Sequence, residues 1–267
     1  MLNDRHYQIL QFLLGSREVD VKHLTELLGV HATTVRRELR EMEKDGLLTR
    51  THGGARLVEP IRYELPYELR AKEQVEAKRK IAKAAKKLIH PKMVIGISGG
   101  TTCTELSRQI ITYDNLTVIT NAVNIAIELR SQGDTRVVMT GGILTSNSYE
   151  LVGSQVSESM HKYHLDCTFL GASGVDSGFG LSVSDEPEAN ASRAFISSAE
   201  KIIILADHTK IGKTKFAHLC PLDEVNLLIT DNGITEEQNL MLSKAGLNIF
   251  VAGEEDDPSK FFINRLK

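Results

Sequence analysis

The chain opens with Leu2, Ile9, Leu10, Leu13 and Leu14 spaced to share one helical face, and Gly15 stands where that helix is expected to end. Asp20 is placed to cap a second short helix, VKHLTELL, that stops at Gly29. After the tight connection GVHA, a third helix, TTVRRELREMEKD, turns Val35, Leu39 and Met42 inward and ends at Gly46. GLLTRTHGGARLV then predicts two short strands around the His52-Gly53-Gly54 turn. Residues 59–66, EPIRYELP, carry two prolines and predict a linker. From Tyr67 to His90 the pattern is that of one long helix with Ile81, Ala85, Leu88 and Ile89 as its apolar stripe. Its charges, including Lys78, Arg79, Lys80, Lys83, Lys86 and Lys87, fall on a solvated face.

From residue 93 the pattern changes. MVIGIS, LTVIT, TRVVMTGG, LDCTFLGAS, KIIILAD, VNLLITD and LNIFVAG are short, nearly continuous apolar runs, separated by helical stretches such as NAVNIAIELR, ASRAFISSAE and TEEQNLMLSKAG. Apolar strands alternating with helices predict a mostly parallel sheet covered on both faces. The expected fold class is therefore α/β: an N-terminal winged helix-turn-helix domain (1–58), the linker (59–66) and a C-terminal, mostly parallel, doubly wound α/β domain (67–267).

Composition changes this picture little. Hydrophobic residues make up 41% and charged residues 25% of 267 positions, and the net charge of −3 argues neither for nor against nucleic acid. Cys103, Cys167 and Cys220 are few, odd in number and far apart, as expected of reduced thiols rather than a disulfide framework. The N-terminal stretch is too short and too charged for a secretory signal, and no apolar run has the length of a membrane span, so a cytoplasmic protein without membrane partners is expected.

The helix-turn-helix spacing brings in the first candidate chemistry. The second helix of such a motif presents its outward N-terminal residues to the DNA major groove. Thr33, Thr34, Arg36, Arg37 and Arg40 lie on or beside that surface, and Arg50 and His52 lie on the hairpin behind it. Threonine can touch bases or phosphates, and arginine can read guanine with two hydrogen bonds. Residues 31–58 hold six basic and four acidic side chains, so the alternative is that these arginines only pair with Glu38, Glu41 and Glu43.

The stretch TTVRRELREMEKDGLLTRTHGGA resembles the recognition helix and wing of DeoR-type bacterial regulators, with His31 where that family often has a serine cap. GISGGTTCTEL, LTVITNAVNIAIEL, VVMTGG, FLGASGVD and ILADHTKIGK resemble, in order, the landmarks of the family's sensor domain. The resemblance implies a transcriptional regulator, most often a repressor of carbohydrate use. It would bind a double-stranded DNA operator under the control of a phosphorylated sugar. One small winged domain offers few base contacts, so a homodimer or homotetramer is expected. The Tyr67–His90 helix is expected to pass the effector's bias to the DNA-binding end.

The second candidate site starts from Ser98-Gly99-Gly100-Thr101-Thr102, where a strand turns into a helix. The glycines allow close backbone approach to an anion, and free amides at a helix N-terminus point toward it. No Walker lysine follows, which argues against a nucleoside triphosphate. Asn121 and the Gly141-Gly142 pair follow strand ends, where open parallel sheets place ligands, and Lys210 adds positive charge. The same half resembles ribose-5-phosphate isomerases, but Ser173 and Ser192 stand where those enzymes have acids, so a sensor is expected rather than an isomerase or deaminase with an accessory DNA-binding unit. Asp176, Asp185, Glu186 and Glu188 are expected to cap a helix or meet sugar hydroxyls. His161 and His164 lack a third ligand at metal spacing, and neither a metal nor a cofactor is expected.

Overall fold

The computed structural model describes residues 3–57, 64–130, 134–145, 147–253 and 257–260. The chain divides into two compact units, Met1–Leu69 and Arg70–Lys267. The linker expected at 59–66 falls mostly outside the described residues, as do Leu2 and the side chain of Leu14.

The first unit contains α1 (Asp4–Ser16), β1 (Glu18–Asp20), α2 (Val21–Leu28), α3 (Ala32–Lys44), β2 (Leu48–Arg50) and β3 (Gly54–Leu57). Ile9, Leu10, Leu13, Leu24, Val35, Leu39 and Met42 meet Val19, Leu48 and Ala55 in one core. Asp20 caps α2 by accepting the His23 N–H at 2.7 Å, a contact worth about 1 kcal/mol. One expectation needs correction: α1 runs through Gly15 and ends at Ser16. Its stop is Arg17, whose left-handed backbone (φ 65°) aims its N–H at the Leu13 carbonyl. The hairpin β2–β3 forms as expected, and β1 adds to the far side of β3, giving the antiparallel order β1-β3-β2. β1 alternates, with Val19 buried between exposed Glu18 and Asp20.

The expected Tyr67–His90 helix is two helices, α4 (Tyr67–Arg70) and α5 (Val75–Lys86). Gln74 takes left-handed angles (φ 47°, ψ 37°) and breaks the helical path. Lys78 is the physical reason. It is 4% exposed rather than solvated, and its ammonium donates to the carbonyls of Arg70 and Glu73, the latter at 2.6 Å. Those carbonyls turn onto a buried cation instead of continuing a helical ladder. The Tyr67–His90 segment is therefore not the single continuous helix expected.

The remaining elements are β4 (Val94–Ile97), α6 (Thr101–Gln109), β5 (Thr117–Thr120), α7 (Val123–Leu129), β6 (Arg136–Met139), β7 (Ile143–Leu144), β8 (Leu151–Val152), α8 (Ser154–Met160), β9 (Cys167–Gly171), β10 (Gly174–Asp176) and β11 (Gly180–Val183). They continue as α9 (Glu186–Ser197), β12 (Ile202–Leu205), β13 (Ala217–His218), β14 (Leu227–Asp231), α10 (Glu236–Lys244) and β15 (Ile249–Ala252). Seven strands form one sheet in the order β15-β14-β12-β9-β4-β5-β6, and every neighbouring pair is parallel. Alternate side chains divide between two cores. Ile202, Ile204 and Leu228 join Phe195 and Met160 on one face, while Ile203, Leu205, Leu227 and Phe169 join Ile81 and Leu106 on the other. This is the doubly wound arrangement expected from the apolar runs. The sheet β10-β11-β13 and the hairpin β7–β8 are additions that the sequence pattern did not predict.

The strand order positions the candidate site. The chain runs outward through β4, β5 and β6, then returns to lay β9 on the other side of β4. The segments leaving β4 and β9 therefore diverge at the C-terminal ends of these two strands, the place where doubly wound sheets bind ligands.

Candidate functional site

On the first unit, α3 exposes Thr33, Arg36, Arg37 and Arg40 and half-buries Thr34, while Arg50 and His52 are exposed on the β2–β3 wing. The arginines are not equivalent. Arg37 lies 3.3 Å from Glu38 and 4.0 Å from Glu41. Arg50 pairs with Glu43 at 2.7 Å, and its backbone N–H donates to the same carboxylate at 2.9 Å, which ties the wing to α3. Arg36 and Arg40 make no such contact among the described residues. His31 begins α3 without a side-chain cap bond.

Glu38, on the opposite side of α3, was not foreseen as a core group. It is 1% exposed and meets Arg5 at 2.9 Å, His6 Nε2 at 2.8 Å and Asn3 Nδ2 at 3.1 Å, all from α1 or its cap. Burial raises its carboxyl, but the Asn3 and Arg37 hydrogen bonds and the Arg5 and His6 charges outweigh it and hold it below the usual range. His6, Glu38 and Glu41 bring possible metal ligands within 4.8 Å of one another. Arg5 and Arg37 already supply those carboxylates with the positive charge a cation would bring.

In the second unit, the adjacent strands β4, β5 and β9 bring Ser98–Thr102, Asn121 and the segment after β9 together. Ser98 N–H donates to Phe169 O at 3.1 Å, and a Cβ added to Gly171 would stand 3.6 Å from Gly99 O. Gly100 begins α6 at φ 106°, ψ 155°, a backbone that favours glycine, and α6 has no side-chain cap bond. Its first amides are therefore oriented for an anion. Ser98, Thr101 and Thr102 are buried around the turn. Asn121, 0% exposed, donates to Leu151 O at 3.0 Å and Glu150 Oε2 at 3.2 Å, and its Oδ1 has no partner among the described residues. Ser173 is buried after β9 and donates its N–H to Ser182 O at 3.0 Å.

Other expected residues stand further out. Gly141 and Gly142 lie two strands from β4, at the exposed end of β6. A Cβ at Gly142 would meet Val152 O at 2.7 Å, so this glycine admits β8. Lys210 is half-buried in the short 3-10 turn after β12. That turn is fastened by Asp231, which accepts the His208 N–H at 2.8 Å, His208 Nδ1 at 2.9 Å and the Gly233 N–H at 3.0 Å. Burial raises the Asp231 carboxyl, and these hydrogen bonds overcome that and lower it. Asp207 accepts both the N–H and the hydroxyl of Thr209. No sequence motif announced the His208–Asp231 pair, because its partners are 23 residues apart.

Asp176, expected to cap a helix or meet a sugar, instead accepts the Gly178 and Phe179 N–H groups at 2.9 and 2.8 Å and closes the β10–β11 turn. Asp185 stands at the N-cap of α9 without a side-chain cap bond. Cys103 is fully buried, and burial followed by the Glu150 charge raises its thiol, so it packs the turn as an inert group. His164 pairs with Glu200 at 2.9 Å, and His161 closes α8.

Burial pushes the Lys78 ammonium from 10.5 down to about 8, against the pull of the Asp207 carboxylate. The unfolded chain keeps this proton to about pH 10.4, so above about pH 8 the unfolded state binds more protons and stability rises with pH. Lys78→Met removes that rise. Between about pH 7 and pH 11 the stability difference between wild type and variant is expected to move in favour of wild type by on the order of 3 kcal/mol. Urea denaturation across that range measures it, and a constant difference would mean that the ammonium is hydrated.

Among the described residues no helix is long and apolar enough to cross a membrane. Residues 5–60 match the model of the DeoR-like helix-turn-helix domain, and residues 73–232 match the DeoR C terminal sensor domain. The HTH-type transcriptional regulator GlpR of Haloferax volcanii is 31% identical over 92% of this chain and 96% of its own. The HTH-type transcriptional repressor GlcR of Bacillus subtilis is 31% identical over 95% of this chain and 97% of its own. Among solved structures, ribose 5 phosphate isomerase A from Neisseria gonorrhoeae matches 56% of this chain and 57% of its own, at 18% identity and a TM-score of 0.39. Two domain matches in the expected order, and relatives that align from end to end, establish that the chain belongs to the DeoR family of DNA-binding transcriptional regulators and is a regulator rather than an enzyme.

Proposed function

We propose that this regulator is a cytoplasmic repressor of an operon for carbohydrate use, released or engaged by a phosphorylated sugar or sugar derivative. Residues 1–58 read the operator, 59–66 join, and 67–267 sense. Thr33, Thr34, Arg36, Arg37 and Arg40 face the major groove, and Arg50 and His52 follow the backbone from the wing. The relative named as a repressor supports the sign of the regulation. Two copies or four supply enough base contacts for a specific site, with half-sites about 34–36 Å or a multiple apart.

The observation that carries the effector reading is the β4–β9 divergence with the Gly99-Gly100 turn and the α6 N-terminus, together with Asn121, whose buried Oδ1 has no partner among the described residues. Backbone amides suit a phosphate, and a buried amide oxygen suits a sugar hydroxyl. Ser98, Gly99, Gly100, Thr101 and Thr102 hold the phosphate in this reading. Asn121 and Ser173 meet the sugar, and Lys210, Gly141 and Gly142 line the outer rim. An effector changes operator affinity only if it prefers one arrangement of the protein over another.

The test is operator binding titrated with a panel of pentose and hexose phosphates. One compound is expected to shift the affinity. Ser98→Ala with Thr101→Val is expected to abolish that shift while operator affinity without the sugar phosphate stays at the wild-type level. A variant that keeps the full shift would remove the loop from the effector site.

A further inference from the structure

Glu150 is a buried acid that the effector reading leaves without a role. It is 7% exposed, and its side chain packs against Gly99 of the turn into α6. A Cβ on Gly99 would stand 2.1 to 2.3 Å from Glu150 Cγ, Cδ and Oε1. The residue before it, Tyr149, has φ 61°, a left-handed backbone that an aromatic residue seldom adopts, at the point where the chain enters β8. Glu150 O accepts from Thr145 N–H at 2.8 Å, so the acid also belongs to the hairpin that carries β7 and β8. The independent sign of a ligand is Asn121. Its Nδ2 faces the Glu150 carboxylate at 3.2 Å, and its Oδ1 is buried without a partner among the described residues.

A carboxylate in this position opposes the chemistry of the turn. The α6 amides attract an anion, yet a phosphate drawn to them approaches a like charge only a few ångströms away, among buried side chains where such repulsion is weakly screened. On the opposite side the turn is open: a Cβ on Gly100 would meet nothing within 4 Å. A phosphate can therefore reach the turn, but the energy of doing so depends on where Glu150 lies.

We propose, resting on the effector reading above, that Glu150 is an internal counter-ligand of the Ser98–Thr102 turn. A phosphate group binds there as the Glu150 carboxylate swings away from Gly99. The main chain around Glu150 is fastened: Leu151 N–H donates to Asn121 O at 2.7 Å, Val123 N–H donates to Tyr149 O at 3.0 Å, and Val152 is buried, so the side chain moves while its backbone stays. The cost of displacement lowers affinity for a bare phosphate, and the rest of the effector must overcome it, so the same contact selects for a complete effector.

The test uses the full-length chain with inorganic phosphate as the probe. Calorimetric titrations against chloride at constant ionic strength compare wild type, Glu150→Gln and Glu150→Ala. Both variants are expected to bind phosphate at least about tenfold more tightly, because the like charge is gone. Hydrogen exchange gives the second readout: the Leu151 and Val123 amides keep wild-type exchange in both variants, so tighter phosphate binding reports the lost charge and not a disrupted hairpin. Equal phosphate affinity in all three proteins overturns the counter-ligand. Weaker binding in the variants overturns it too, and makes Glu150 a support of the turn. Saturable phosphate binding in none of the three removes the turn as an anion site, and the effector reading fails with it. Unfolding temperatures within a few degrees of wild type show that the variants fold, and the conservative glutamine guards against a packing defect in the alanine.

Discussion

Arg36→Ala and Arg40→Ala are each expected to weaken operator binding by about 1–3 kcal/mol where the arginine reads a base. Where it touches a phosphate instead, the loss is smaller, uniform across sequences, and accompanied by a drop of about one in the slope of log affinity against log salt. These two side chains are exposed on α3 and make no ion pair among the described residues, so they can turn to DNA without breaking an internal contact. Arg37 and Arg50 differ, because each must give up a carboxylate first. Arg50→Ala is therefore expected to cost less binding than Arg36→Ala and to loosen the wing. Anisotropy titrations across a salt series, with operator and scrambled duplexes, separate base reading from phosphate contact. Unchanged affinity in Arg36→Ala and Arg40→Ala would take the outer face of α3 out of the interface.

Glu38→Ala is expected to destabilise the first unit by about 2–3 kcal/mol. Breaking a buried ion pair costs about 3–5 kcal/mol in general, and the partial exposure of Arg5 and Arg37 lets water recover part of it. His6 cannot recover in this way, since its side chain is 5% exposed. The pH dependence follows from the lowered carboxyl. The unfolded chain takes up a proton near pH 4.3, and folded Glu38 resists it to lower pH. Its stabilisation is thus complete above that pH and is lost as the pH falls through the folded value. The variant should lose stability less steeply on acidification. The two units need not unfold together, so amide exchange at Ile9 and Leu39 is the suitable measurement. Wild-type protection in the variant would show that the α1–α3 ion cluster contributes nothing net. Because Glu38 shares one helix with the arginines proposed to face DNA, a loosened α1–α3 junction is also expected to weaken operator binding.

Much of this protein was present in its sequence by itself. The inward spacing of Val35, Leu39 and Met42, the Asp20 cap and the Gly29 stop determined the helix-turn-helix, because local periodicity and capping act within a few residues. Apolar runs such as IIIL and LLIT determined the buried parallel strands, and Ser98–Thr102 marked the turn into α6. Only the tertiary structure decided where charge goes. Lys78 has the spacing of a solvated helix face, yet the carbonyls of Arg70 and Glu73 take it inward and break the helix expected there. Glu38 reads as a surface partner for Arg37 until α1 covers it with Arg5 and His6. Glu150 reaches Gly99 from 51 positions away, and His208 reaches Asp231 across 23. An ionisable side chain is buried only where the folded chain supplies its partners, from the preceding turn for Lys78 and from a distant segment for Glu38 and Glu150, and one-dimensional periodicity records neither.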